Sequence, residues 1–442
     1  RSSSVAERLI DGWPFAASYF NELGAAARNL TYNENAGIAR LGRRLGRFVR
    51  FNRYRLAHLA EGLSDKQRLA FAVLSYLLHA NERELPGFSR SRFVVHGLSQ
   101  FDFNETIRGA VREIFQQQDL RSPPAEFRPV IRSLFVVTDI GTLAQRDGDL
   151  LRFYTVVDLR SMGETVRRDL AQRLDKIVDW ASQMGLAIEF VLVDPAWSRE
   201  GDFAGLRGES ARGYLNLERF YREAIYLAGD LPVFWCTTPG VDLERHIKTA
   251  RLANRVDFDE RLSFVDLGFV AFPPVAVRRR AMLALLNHDA YTPISVMLNL
   301  VLLVHGANAA SALCEHLKSR IYKGQDLDQL IDPYFLLFDA ACIALSHHGE
   351  WAQLSFVRKL FVLKVALQAL RAGRSRRSFM VSFNRIRPFL VRWGWDVEVL
   401  DLATQVQKSD HGRMNALNLD ITRAILRLYQ EISTSSKNSP GR

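Results

Sequence analysis

The sequence predicts an α+β fold: a small mixed β-sheet flanked by N-terminal helices, followed by a large C-terminal helical region. Three observations point there. Two apolar, β-branched runs, residues 134–137 and 150–157, flank Arg146-Asp147-Gly148-Asp149, and Asp-Gly is a strong hairpin signal because Gly tolerates a positive φ. A helix-spaced segment at 164–184 and an apolar run at 187–194 come next, so strand, strand, helix and strand follow in order. Beyond residue 242 the apolar spacing is helical almost to the end.

Taken in order, residues 38–62 are rich in Arg and Leu at helical spacing. Ser64-Asp-Lys-Gln67 has the form of a capping box and opens a second helix through about residue 80, which Leu85-Pro-Gly-Phe88 ends. Residues 103–118 read as an amphipathic helix, with Ile107, Val111, Ile114 and Phe115 on one face. Ser122-Pro-Pro-Ala125 breaks the chain. In the helix at 164–184, Val166, Leu170, Leu174, Ile177, Val178 and Ala181 make the apolar stripe, and Gly185 stands where a C-terminal cap sits. Residues 201–213 form a Gly-rich loop, 215–228 a helix and Leu231-Pro-Val-Phe-Trp235 a further strand. Helices are expected near 276–290, 293–305, 307–321, 333–347, 351–371, 379–392, 395–407 and 413–431, with a polar tail that should fray from Ser433. The expected organisation is a helical region at 1–122, an α/β domain at 123–240, a helical domain at 241–432 and a tail at 433–442.

The 442 residues are 48% hydrophobic and 24% charged, which is ordinary for a folded chain long enough for two or three domains. Cys236, Cys314 and Cys342 are far apart and odd in number, so neither a disulfide framework nor a metal spacing emerges and a reducing cytoplasm is expected. The longest apolar run, 294–304, carries Asn299 and falls short of the roughly 20 residues needed to span a bilayer, so a soluble protein is expected. The formal net charge is +11, and Arg40, Arg43, Arg44, Arg47, Arg50, Arg53 and Arg55 crowd one short region. That bias fits an anionic partner such as a nucleotide or acidic membrane, nucleic acid being disfavoured, or simply a solvated basic face. A protein partner is also compatible with it.

Other chemistry-bearing groups have plainer readings. His347-His348 before Glu350 reads as a polar helix end, Trp393-Gly-Trp395 as an interhelix anchor, and Arg374, Arg376 and Arg377 as a solvated basic turn. No Ser-His-Asp arrangement, phosphate-binding Walker loop or dinucleotide fingerprint is visible.

Ser133-Leu-Phe-Val-Val through Gln145, the helix bearing Trp180, and Glu189-Phe-Val-Leu-Val-Asp194 together resemble the catalytic module of class I adenylate cyclases. These are bacterial enzymes whose cyclase domain belongs to the nucleotidyltransferase superfamily. Collinear likenesses run from Asn52-Arg-Tyr-Arg55 and Leu85-Pro-Gly-Phe88 through Glu218-Arg-Phe-Tyr-Arg-Glu-Ala-Ile225, Leu227-Ala-Gly229 and Val265-Asp-Leu-Gly268. They continue through Ile331-Asp-Pro-Tyr334, the segment from Val357 to Val365, and Arg392-Trp-Gly-Trp-Asp396. The resemblance implies a nucleotidyltransferase-like sheet domain that converts ATP to cyclic AMP with Mg²⁺.

The active-site motif departs from the family pattern. That pattern is Gly-Ser, then small residues with a Gln, then Ser-Asp-x-Asp opening a strand. The paired acids hold the divalent metal, and the small residues let backbone N–H groups approach the phosphates. Aligned on Gly141-Thr-Leu-Ala-Gln145, the Gly-Ser falls on Thr138-Asp139 and the two aspartates on Leu150 and Arg152. An apolar side chain cannot ligate Mg²⁺, and a guanidinium repels it. Glu209-Ser-Ala-Arg-Gly-Tyr214 lacks the polar Gln and His of the family's second loop.

The resemblance therefore implies a pseudoenzyme without cofactor, in which Gly141, Thr142, Gln145, Arg152 and Glu209 remain to meet a nucleotide or other anion. One alternative is an active cyclase using ATP and Mg²⁺ on Asp147, Asp149 and the strand-end acid Asp194. Against it, Asp147 and Asp149 sit in the turn, and Asp194 reads equally well as an exposed acid before Pro195. The other alternative is a pure protein-interaction module.

Overall fold

The computed structural model describes residues 32–116, 128–137, 150–203, 210–255, 262–271, 293–305, 312–324, 332–371, 391, 393 and 411–437. The first helix, α1 (Tyr32–Glu61), turns Leu41, Leu45, Phe48, Val49, Leu56 and Leu59 into the core. The capping box at Ser64 forms as its spacing requires: Ser64 Oγ accepts from the Gln67 amide, and Gln67 Oε1 accepts from the Ser64 amide at 2.9 Å. It starts α2 (Asp65–His79). The next helix, α3 (Glu105–Phe115), is shorter than its apolar spacing suggests. Asn104 caps its start, and Gln116, in the left-handed region at φ 54°, ends it.

The hairpin strands are β1 (Ile131–Val137) and β2 (Leu151–Val157), paired antiparallel. A parallel neighbour needs a long crossover, and α4 (Glu164–Gln183) supplies it before β3 (Ile188–Val193) joins β2. Gly185 closes α4 at φ 79°, with its own amide on Ser182 O and the Leu186 amide on Ala181 O, both at 2.9 Å. A short α5 (Pro195–Arg199) follows β3, and then α6 (Ser210–Glu223).

Two expectations are corrected beyond this point. The helix predicted at 215–228 begins at Ser210 and stops at Glu223, and β4 (Ile225–Gly229) pairs antiparallel with β1, giving the order β3-β2-β1-β4. Tertiary hydrogen bonds decide this. Buried Asn52 of α1 accepts from the Tyr226 amide at 2.8 Å and donates to Tyr226 O at 2.9 Å, satisfying the strand's outer edge. The strand predicted at 231–235 shrinks to β5 (Leu231–Pro232), because Pro232 brings no amide and Val233–Cys236 coils into a 3₁₀ turn. There Phe234 stacks on Tyr221 and Trp235 on Phe48. β5 pairs with β6 (Phe264–Val265), and α7 (Leu243–Arg255) lies between them in sequence.

The sheet is covered on both faces. Phe153 meets Phe71 of α2 on one, and Phe135 and Tyr154 meet Phe220 of α6 on the other. A second buried cluster joins α8 (Pro293–His305), α10 (Pro333–His347), α11 (Trp351–Arg371) and α12 (His411–Lys437), while α9 (Leu313–Tyr322) packs on the sheet-side cluster. The fold is therefore α+β, with N-terminal helices and a helical C-terminal region.

Some helix ends also differ from expectation. α9 starts at Leu313 rather than at 307. The tail expected from Ser433 is helical to Lys437, and within it the Ser433 and Thr434 hydroxyls donate to the carbonyls of Tyr429 and Gln430. The helices expected at 276–290 and 395–407, and Arg374, Arg376 and Arg377, lie outside the described residues. Trp393 is the interhelix anchor expected, packed on Phe338 and Phe361 under Arg358. No described helix is long and apolar enough to cross a membrane.

Candidate functional site

β2 begins where the family alignment places the metal acids. Leu150, half-buried, precedes the strand, and Arg152 is its second residue. Register fixes the neighbours of Arg152: Val137 opposite on β1 and Glu189 beside it on β3. Its Nε lies 2.9 Å from Glu189 Oε2, with the arginine side chain 18% exposed and the glutamate 49%. The strand opens with a guanidinium–carboxylate pair.

Successive strand residues alternate faces, so Arg152 shares the α6 face with Tyr154. Tyr154 stacks on Phe203 at 5.8 Å. Burial pushes its phenol pKa up, while Arg219 and Arg152 pull it down and Glu223 and Glu189 add to the rise. Two ion pairs thus border one aromatic ring. Arg219 binds Glu223 at 2.6 Å, and Arg222, 2% exposed, binds Glu223 at 2.8 Å and Glu218 at 3.1 Å. Arg55 of α1 donates to Glu223 O at 2.5 Å, and the Cys314 amide donates to Glu218 Oε1 at 3.0 Å. Burial lowers the Arg55 pKa to about 10 against the opposing pull of Asp332 and Glu223, so it stays a cation at neutral pH. The described charges on this face are matched pair by pair, and among the described residues Arg152 is the guanidinium at the end of the sheet from which residues 138–149 run.

Of the two readings of Asp194, a family strand-end acid or an exposed acid before Pro195, the exposed one does not hold. Asp194 is buried, and it caps α5 by accepting from the Ala196 and Trp197 amides at 2.7 and 3.1 Å. Its second oxygen accepts from the Arg160 amide at 2.7 Å. Both oxygens are committed to the backbone. Asp194 also lies five residues along β3 from Glu189, about 16 Å at strand rise, at the opposite end of the sheet from Arg152.

Thr138, Asp139, Gly141, Thr142, Gln145, Asp147, Asp149 and Glu209 lie outside the described residues. Of the sequence candidates, Arg152 and Asp194 are placed, and they are not brought together. Sequence reasoning missed Glu189, Tyr154, Arg219 and Glu223 as members of the site. The i, i+4 spacing of Arg219 with Glu223 and of Glu218 with Arg222 was visible, but on a bare sequence it reads as a solvated helix face. Glu189 opposite Arg152 needs the register of two parallel strands.

The family implies a divalent cation, and the described residues do not fit one. Mg²⁺ takes oxygen ligands, whereas here Leu150 offers none and the Glu189 carboxylate is taken by Arg152. Among the described residues no group of three or more His, Cys, Asp or Glu is placed to hold a metal.

Comparison with known proteins bears on the whole chain. Residues 41–235 match the family described as adenylate cyclase NT domain, and residues 292–439 the one described as adenylate cyclase, class-I, second domain. An adenylate cyclase of Shigella flexneri is 24% identical over 362 residues, covering 78% of this chain and 41% of that protein. One from Haemophilus influenzae is 25% identical over 375 residues, 78% of this chain and 42% of its own length. A third, from Yersinia intermedia, is 22% identical over 393 residues, 86% of this chain and 45% of its own. The chain thus spans less than half the length of these relatives. The two family matches follow one another in the order of the fold and between them take in most of the sequence, so the chain belongs to the class I adenylate cyclase family.

Proposed function

We propose that this chain is a class I adenylate cyclase-like protein that has lost cyclisation of ATP and acts as a nucleotide- or partner-binding pseudoenzyme. The observation that carries the reading is Arg152 at the start of β2, where the family alignment requires an acid, paired at 2.9 Å with Glu189. A fixed positive charge there does by itself part of what a metal does for a triphosphate: it offers an anion a counter-charge. Among the described residues of the site it leaves no carboxylate free to ligate a metal, and a guanidinium is too weak a base to draw the proton from a ribose hydroxyl. An active arrangement drawing on Asp147, Asp149 and Asp194 together is disfavoured, because Asp194 is spent on capping at the far end of the sheet. The reading needs no cofactor. The cysteines are free thiols, Cys236 and Cys314 buried, which fits a reducing cytoplasm.

Calorimetry with ATP, in Mg²⁺ and again in a chelator, tests this. The expected result is saturable binding of similar strength in both, weakened roughly tenfold in Arg152→Gln by loss of one charge-assisted contact. Binding that appears only with Mg²⁺ would mean that a metal site survives. No heat in either condition would remove the nucleotide and leave a protein-interaction module.

A further inference from the structure

The seven arginines crowded between residues 40 and 55 do not share one fate. Arg44 turns inward and donates to Cys236 O at 2.7 Å, and Arg55 is buried against Glu223. Arg53 is half-buried. Arg40, Arg43, Arg47 and Arg50 are exposed, and none is in an ion pair among the described residues. No Asp or Glu occurs from Asn35 to Ala60, so α1 offers them no acid between its ends. At 3.6 residues per turn these four positions fall within an arc of about 80°, and at 1.5 Å per residue they form a row about 15 Å long. The row is straight, because α1 is one continuous helix.

The rest of the helix narrows the partner. Leu41, Leu45, Phe48, Val49 and Phe51 all point into the core, so among the described side chains of α1 the ridge carries no apolar wedge and contacts by charge. With its flanks buried, α1 is too deeply seated to enter a DNA major groove. A duplex strand winds through nearly half a turn over about 15 Å, so it would leave a straight row after one or two contacts. A plane of phosphates meets all four guanidinium groups at once.

We infer that the Arg40–Arg43–Arg47–Arg50 ridge of α1 is a peripheral docking surface for anionic phospholipid headgroups, holding the protein flat against an acidic leaflet without insertion. Each arginine near such a surface contributes about fivefold in partitioning, and the attraction fades within a Debye length.

Co-sedimentation of the full chain with vesicles tests this, using zwitterionic lipid and the same lipid with about 30% phosphatidylglycerol. Binding is expected only to the anionic vesicles at about 0.05 M salt, with release at about 0.5 M. Arg43→Gln/Arg47→Gln should partition roughly 25-fold less, and Arg40→Gln/Arg43→Gln/Arg47→Gln/Arg50→Gln several hundredfold less. The four lysine replacements should retain most of the binding. Folding of each variant is checked by circular dichroism, and should the fourfold variant not fold, the double variant and the salt release decide. Absence of binding to anionic vesicles at low salt would overturn the inference, as would undiminished binding of the double variant. Tighter binding to a DNA duplex than to vesicles at equal phosphate concentration would also overturn it.

Discussion

Arg152 and Arg173 are the same residue type in opposite situations. Arg173 of α4 is buried. Its guanidinium donates to Leu77 O and Ala80 O at 2.5 Å and to Asn81 Oδ1 at 2.9 Å, and also to Gly87 O. It thereby satisfies the carbonyls that the end of α2 leaves over. Burial lowers its pKa to about 10, and it remains a cation at neutral pH. Arg173→Ala should cost about 3 kcal/mol or more, since several buried carbonyls lose their donor together. Arg152→Gln should cost less than about 1 kcal/mol, because the partner Glu189 is half exposed and can return to water. Urea midpoints of the two variants check the contrast; equal losses would mean that Arg152 carries the fold rather than a site. The identity of Arg152 was legible from the alignment of the chain. Its partner was not, since Glu189 lies 37 residues away and meets it only through strand register.

Elements were most legible where local signals agreed. The capping box, the stripe of α4 and the second hairpin strand formed with ends within a residue or two of those read from the sequence, while β1 starts three residues earlier, at Ile131. β4 was misread because Leu227 and Ala228 continue a helical pattern, and Asn52, 174 residues away, makes it a strand. Gly229 then takes φ 97°, with Arg132 O so close that a Cβ would meet it at 2.1 Å.

The motif Val265-Asp-Leu-Gly268 also acquires a role only in three dimensions. Asp266 Oδ1 lies 3.0 Å from His246 Nε2 of α7 and accepts from the Gly268 amide at 2.9 Å, and Arg199 of α5 donates to Asp266 O. Burial works to raise the Asp266 pKa, but the hydrogen bond and charge of His246, the Gly268 amide and the Arg199 charge outweigh it. They hold the carboxyl below its usual 3.8. A depressed carboxyl stabilises the fold above its unfolded pKa, and that contribution is lost as the pH falls through the lower folded value. Urea midpoints of the native chain should therefore drop below about pH 4, and Asp266→Asn should flatten part of that drop. An unchanged acid limb in the variant would show that other carboxyls govern it.

Across the molecule, the buried charges of α6 join parts far apart in sequence. Arg222 reaches Glu218, Glu223 and Pro333 O at the start of α10, and Arg55 brings in α1. Leu215 of α6 belongs to the cluster of the C-terminal helices, while Leu217 and Phe220 belong to that of the sheet. Fold class was legible in the sequence because it rests on periodicity spread over many residues. The chemistry rests on the few residues at the start of β2, and a sequence places them only by alignment to a family. The chain belongs to the class I adenylate cyclase family; its proposed loss of chemistry rests on the charge at one strand end. The most direct measurement is turnover: the purified chain incubated with ATP and Mg²⁺ or Mn²⁺, with cyclic AMP quantified by mass spectrometry against a heat-inactivated control. Product indistinguishable from the control is the expected result. Cyclic AMP well above it, and abolished by Asp149→Ala, would contradict the loss of chemistry and move the catalytic acids into the turn.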